Sequence, residues 1–171
     1  MGHWKYQGTP DAVYQHLSLL ERINSTHVLI FGSDHVYHMD YCHLLQFHQE
    51  RGADVTVATF PVPCHQASQF GMVTADPLGE VTSFREKPWE VSPLPPEAPP
   101  VLASMGIYLF RFAVLRAVLG EDPQRQSTHD LGREILPGRL GRYRVAAFRW
   151  KTGSPWPAGT LRTRSPRCRR S

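Results

Sequence analysis

Cysteine is scarce in this chain. Its 171 residues include three, Cys42, Cys64 and Cys168, widely separated and without a CxxC pair. An odd, scattered set supports neither a disulfide framework nor a thiolate zinc site, so free thiols are expected. Long apolar runs are also missing. None approaches the roughly 20 residues that span a bilayer, so no membrane partner is expected. The opening MGHWKYQG has no apolar stretch of a signal peptide. Tyr6 stands where a myristoylation pattern needs Ser or Thr. These absences point to a soluble, cytoplasmic protein. Acids are missing from one region: from Thr152 onward there are five arginines and no Asp or Glu. Without those five, residues 1–151 carry a net charge of −1, against +4 for the whole chain. The basicity belongs to the tail, and the body gives no reason to expect a nucleic-acid partner.

What is present is enough for one domain, with 41% apolar residues. Thr9-Pro10-Asp11 reads as a helix start, with a cap, a first-turn proline and an acid at the positive end of the dipole. Val13, Leu17, Leu20 and Ile23 continue it at helical spacing, and Asn24-Ser25-Thr26 ends it. Val28 to Phe31 is apolar without alternation, like a strand buried on both faces. Asp40 caps a second helix carrying Leu44, Leu45 and His48 toward one side, stopped by Gly52. Asp54 to Phe60 alternates as a strand, and Phe70 to Glu86 reads as two strands around Asp76-Pro77-Leu78-Gly79. Pro88 to Pro100 is a proline-rich loop. A strand over Val101 to Phe110, a helix over Ala113 to Leu119, a helical turn or two over Asp130 to Leu136 and a strand over Arg144 to Trp150 complete the pattern. Helices alternating with apolar strands indicate an α/β fold with a mostly parallel sheet. The pattern stops after Trp150, so residues 1–150 are expected to form the domain and residues 151–171 a disordered, Arg- and Pro-rich tail.

The stretch HVLIFGSDHVYHMD puts a carboxylate, Asp34, just past the end of an apolar strand. Ligands of open α/β sheets bind at the carboxyl ends of strands. Asp34 could hold a hard cation such as Mg²⁺ there, or it could cap the following turn. In SFREKP, Lys87 follows Glu86 at a strand end and could meet a phosphate as a point charge, or be a solvated surface charge. In LASMGIYLF, Ser104 could bond a sugar or phosphate, or be a polar interruption of a strand. Four histidines, His35, His38, His43 and His48, cluster in sequence, but their spacing does not give a metal-binding i, i+4 pair.

WKYQGTPDAVYQ, GSDHVYHMDY, FGMV, SFREKP, LASMGIYLF and THDLGREILP stand in the order and at about the spacing found in bacterial glucose-1-phosphate adenylyltransferases. Residues 3 to 148 resemble that family. The strand-end Asp and the EKP triplet are shared with sugar-phosphate nucleotidyltransferases in general. The SMGIY and HDLG-type stretches are narrower.

The resemblance implies a Rossmann-like nucleotidyltransferase domain, incomplete at both ends. It implies adenylyl transfer from ATP to glucose 1-phosphate, giving ADP-glucose and pyrophosphate, with Mg²⁺ as cofactor. By motif, Asp34 matches the catalytic, metal-binding aspartate. Tyr6, Gly71, Glu86, Lys87 and Ser104 match residues that contact glucose 1-phosphate, with Lys87 at the phosphate. The family forms homotetramers, an expectation this chain does not carry over.

Two substitutions and three absences bear on these roles. Ser33 replaces a glycine before the aspartate, and Met72-Val73 reverses the family's order. The family's glycine-rich ATP loop, its RDVGT-type aspartate and its β-helix have no counterpart in this sequence. The chain by itself is therefore expected to be inactive. The alternatives are a non-catalytic sugar-phosphate-binding protein and a sister nucleotidyltransferase for another sugar phosphate.

Overall fold

The computed structural model describes residues 9–31, 39–63, 70–85, 101–120 and 131–150. Tyr6, Asp34, Glu86, Lys87, the proline-rich loop and the Arg-rich tail lie outside these residues.

The opening helix is two short helices, α1 (Thr9–Gln15) and α2 (Leu17–Arg22). The break falls at His16, whose amide donates to the Val13 carbonyl, three residues back instead of four. That tighter turn offsets the two axes. Asn24 then adopts φ 52°, and the Ser25 amide reaches back to the Leu20 carbonyl. A left-handed residue closing a helix in this way satisfies carbonyls that would otherwise lack donors.

β1 (His27–Phe31) follows, and then α3 (Tyr41–Glu50). The Asp40 carboxylate accepts from the Cys42 amide at 2.9 Å, which makes it the expected N-cap. Gly52, at φ 56°, closes the other end. β2 (Val55–Val62) is buried on both faces for most of its length, including Thr56 and Thr59, so it is more central than its alternation suggests. β3 (Met72–Ala75) and β4 (Val81–Arg85) form the expected hairpin. Asp76 closes its turn by accepting the Gly79 amide on its carbonyl and the Glu80 amide on its carboxylate. β5 (Val101–Arg111), α4 (Phe112–Gly120) and β6 (Val145–Arg149) complete the regular elements.

Between α4 and β6 the expected helical turn is a π turn over Leu131–Ile135, closed by the Leu136 amide on the Leu131 carbonyl. Its wide register brings the Gly132 backbone against the Phe84 ring and the Tyr108 hydroxyl. A Cβ on Gly132 would lie 2.8 Å from Phe84 Cε1 and 3.0 Å from Tyr108 Oη. Only a residue without a side chain fits there.

The six strands form one sheet in the order β4-β3-β5-β2-β6, with β1 also pairing β5. The α/β class stands, but the expected parallelism holds for strand direction and not for pairing. Strands β1, β2, β3 and β6 point the same way, while β5 runs against β1, β2 and β3 from the middle of the sheet. Among the described ladders only β2–β6 is parallel. Local apolarity reports that a strand is buried and does not report the direction of its neighbour, hence the difference.

Period-two alternation divides the core between the two sheet faces. Val55, Val57, Tyr108, Phe110 and Val145 face a cluster completed by Leu115 and Val118 of α4 and by Val13 of α1. Ala58, Ile107 and Leu109 face a second cluster with Met39 and Leu44 at α3. Helices thus cover both faces and leave the strand ends open. No described helix is long and apolar enough to cross a membrane.

Candidate active site

Two of the six residues singled out by sequence, Gly71 and Ser104, lie within the described residues, and they are bonded to each other. The Ser104 amide donates to the Gly71 carbonyl at 2.7 Å. Gly71 is buried and Ser104 is 9% exposed. They come together because β3 begins beside β5, with Met72 opposite Ala103. Phe70 locks the junction by standing edge to face with Phe60 of β2, at 5.3 Å between ring centres.

The β5 backbone is irregular at this point. Gly106 has φ 68°, and the β2–β5 register jumps from Val57 opposite Tyr108 to Thr59 opposite Ser104. A bulge bends a strand and re-aims its side chains. Here the Gly106 amide donates to Ser104 Oγ at 3.2 Å, and Tyr108 Oη lies 3.4 Å from the same oxygen. Ser104 and Tyr108 therefore form a buried hydroxyl pair on one face of the sheet. The Gly132 backbone lies close to the same Tyr108 hydroxyl.

Several separate motifs meet here. FGMV supplies Gly71. SFREKP supplies Phe84, next to Gly132, and Arg85, which pairs with Met72. LASMGIYLF supplies Ser104 and Tyr108, and THDLGREILP supplies Gly132. The chain leaves β1 at Phe31, opposite Ile107, and the described chain resumes at Met39, packed in the cluster that holds Met105 and Ile107.

Sequence reading missed Tyr108 and Gly132 as parts of this centre. A signal was there: a tyrosine inside an otherwise apolar strand needs a hydrogen-bond partner when buried, and Ser104 is the nearby hydroxyl.

The histidine cluster does not converge in its described half. His43 is 74% exposed beside Asp40, whereas His48 is fully buried against Thr56. Among the described residues, no group of three or more His, Cys, Asp or Glu could hold a metal ion.

Residues 3–157 match the family model described as nucleotidyl transferase. The chain is similar to the glucose-1-phosphate adenylyltransferase of Thiobacillus denitrificans, 42% identical over 88% of this chain and 35% of that protein. It is also similar to glucose-1-phosphate adenylyltransferase 2 of Alkalilimnicola ehrlichii, 44% identical over 86% of this chain and 35% of that protein. The Thermus thermophilus glucose-1-phosphate adenylyltransferase is 39% identical over 84% of this chain and 35% of its own length. The chain therefore spans about a third of the length of these curated relatives.

Proposed function

This chain belongs to the nucleotidyl transferase family, and on that premise we propose that it carries the sugar-phosphate half of a glucose-1-phosphate adenylyltransferase site. The observation that carries this reading is the Ser104–Gly71 hydrogen bond. It joins two residues, far apart in sequence, that were assigned to the same ligand on motif alone.

In the proposed reaction a phosphate oxygen of glucose 1-phosphate forms a bond to the α-phosphorus of ATP. The bond from that phosphorus to the bridging oxygen breaks, and pyrophosphate leaves with the electron pair. The products are ADP-glucose and pyrophosphate. Little covalent work falls to the protein, which must position the phosphates and offset their charge. Lys87 would hold the sugar phosphate with its ammonium. Glu86, Tyr6, the Gly71 backbone and the Ser104 hydroxyl would hold the sugar phosphate in register. Tyr108 would act as a positioning residue, holding the Ser104 hydroxyl at its present angle.

Asp34 is the proposed ligand of a divalent cation, magnesium in this reading. Support for that role comes from the motif, since the described residues contain no cluster of three donors. When bound, the cation would supply charge neutralisation at the phosphates.

The test is an NMR titration of the 171-residue chain with glucose 1-phosphate. The reading expects the amides of Gly71 and Ser104 to shift together along one saturating curve. Shifts confined to other parts of the sheet would overturn it.

A further inference from the structure

α4 ends without a cation of its own. Its last turn carries no Lys, Arg or His. Val118 is among its last residues, whose carbonyls have no donor within the helix and favour a positive charge. The cation comes from further along the chain. Arg139 closes a 3₁₀ turn over Pro137–Arg139, and its Nη2 donates to the Val118 carbonyl at 3.2 Å. Its Nη1 donates to the Ile135 carbonyl at 3.4 Å. One guanidinium thus ties the end of α4 to the end of the π turn.

This pose is not free of cost. Arg139 Nε is buried and has no hydrogen-bond partner among the described residues. A buried donor left unpaired is unfavourable and needs a reason. The two carbonyls that Arg139 reaches belong to buried residues, Val118 and Ile135, of the cluster that packs α4 on the sheet. Apolar packing is non-directional. Two bonds from one planar fork set both a direction and a spacing.

That spacing bears on the far side of the turn. Gly132 stands three residues before Ile135, and its backbone lies against the Phe84 ring and the Tyr108 hydroxyl. Tyr108 Oη is in turn 3.4 Å from Ser104 Oγ. A π turn released from α4 can draw Gly132 away from Tyr108, and the tyrosine hydroxyl then has room to leave Ser104.

We propose that Arg139 is a positioning residue of the sugar-phosphate site. It holds the π turn at a set distance from α4, which keeps Gly132 on Tyr108 and Tyr108 on Ser104. It acts through these residues and not by touching the ligand. The consequence for a ligand rests on the reading of Ser104 as a glucose 1-phosphate contact.

The experiment compares ¹⁵N-labelled wild type, Arg139→Met, Tyr108→Phe and the double variant, all as the 171-residue chain. Methionine keeps an unbranched, flexible side chain and removes the donors. Without ligand, the Gly132 and Ser104 amides of Arg139→Met should move from their wild-type positions. Glucose 1-phosphate should bind about three- to tenfold more weakly, as loss of one neutral hydrogen bond implies. Because the effect runs through Tyr108, adding Arg139→Met to Tyr108→Phe should cost no further affinity. Asp40→Ala, a cap lost elsewhere, controls for general destabilisation and should leave the Gly132 amide and the affinity in place. Should the methionine variant fail to fold, Arg139→Lys takes its place. A compact ammonium does not reproduce the fork, so smaller shifts at the same two amides are expected. An unmoved Ser104 amide in a folded variant, additive losses in the double variant, or an equal loss of affinity in Asp40→Ala would each overturn the role of Arg139 alone. No binding of glucose 1-phosphate by the wild type would overturn the sugar-phosphate reading, and the part of Arg139 in it, whatever the amides do.

Discussion

Ser104 and Tyr108 share a face of β5, and their buried hydroxyl oxygens lie 3.4 Å apart, with the Gly132 backbone packed against the Tyr108 hydroxyl. In a regular strand, residues four apart share a face but stand about 13 Å apart along it; here β2 advances two residues, from Val57 to Thr59, while β5 advances four, from Tyr108 to Ser104. The bulge at Gly106 turns Ser104 so that the pair can form.

If that pair positions Ser104 for a ligand, Tyr108→Phe removes the hydroxyl and leaves the ring. The variant should keep its fold and lose a few-fold in affinity for glucose 1-phosphate, while the Ser104 amide resonance moves even without ligand. Leaving one buried hydroxyl without its partner costs about 1–3 kcal/mol, so a modest fall in Tm is also expected. Unchanged affinity with a lower Tm would mean that Tyr108 serves packing only.

Gly132→Ala should be destabilising even though alanine has the better helix propensity. The new methyl would meet Phe84, which is 5% exposed and has no room to swing aside. Overpacking of this kind costs about 1–3 kcal/mol. Thermal melts should show a Tm several degrees lower, at about 2–4 °C per kcal/mol for a chain of this size. A Tm equal to wild type would mean that the π turn can move away from β4 freely.

His48 should make stability depend on pH. Burial, with the charges of His27 and Arg111 close by, pushes its pKa down to about 4 from an ordinary value of 6.5. The unfolded chain therefore binds the extra proton between those values and the folded chain does not. The contribution is fully present above pH 6.5 and is lost as pH falls toward 4. Its size is on the order of 3 kcal/mol, from the depth of the shift. Urea melts across that window should show a slope that His48→Gln flattens. An identical slope in the variant would remove His48 as the cause.

Asp40→Ala removes the carboxylate that caps α3 at 2.9 Å. A loss of about 1 kcal/mol is expected by denaturant melts. A loss below the error of the measurement would show that Met39 packing alone fixes the start of α3.

Local chemistry made much of this fold legible in advance. Asp40 and Gly52 bounded α3 because caps are local hydrogen bonds and local dihedrals. The Asp76–Gly79 turn was legible for the same reason. The break at His16 was not, since Val13, Leu17 and Leu20 keep a helical period across it. The central antiparallel course of β5 was not either, because an apolar run looks the same whichever way its neighbours point. At the candidate site, Gly71 and Ser104 were found through motifs, whereas Tyr108 and Gly132 needed the three-dimensional approach of β5 to the π turn. The burial of Thr56, Thr59 and His48 likewise depends on which strands flank β2.

Lys87, Gly71 and Ser104 are proposed to belong to one glucose 1-phosphate site, with Asp34 acting on a cation instead. The most direct measurement is the NMR-derived Kd of wild type, Lys87→Ala and Asp34→Asn for glucose 1-phosphate without added metal. A charged hydrogen bond is worth about 1.5–3 kcal/mol, so Lys87→Ala should weaken binding by about ten- to a hundredfold. Asp34→Asn should stay within a few-fold of wild type. No shifts in the wild type at millimolar ligand, or an Asp34→Asn loss equal to that of Lys87→Ala, would contradict the account.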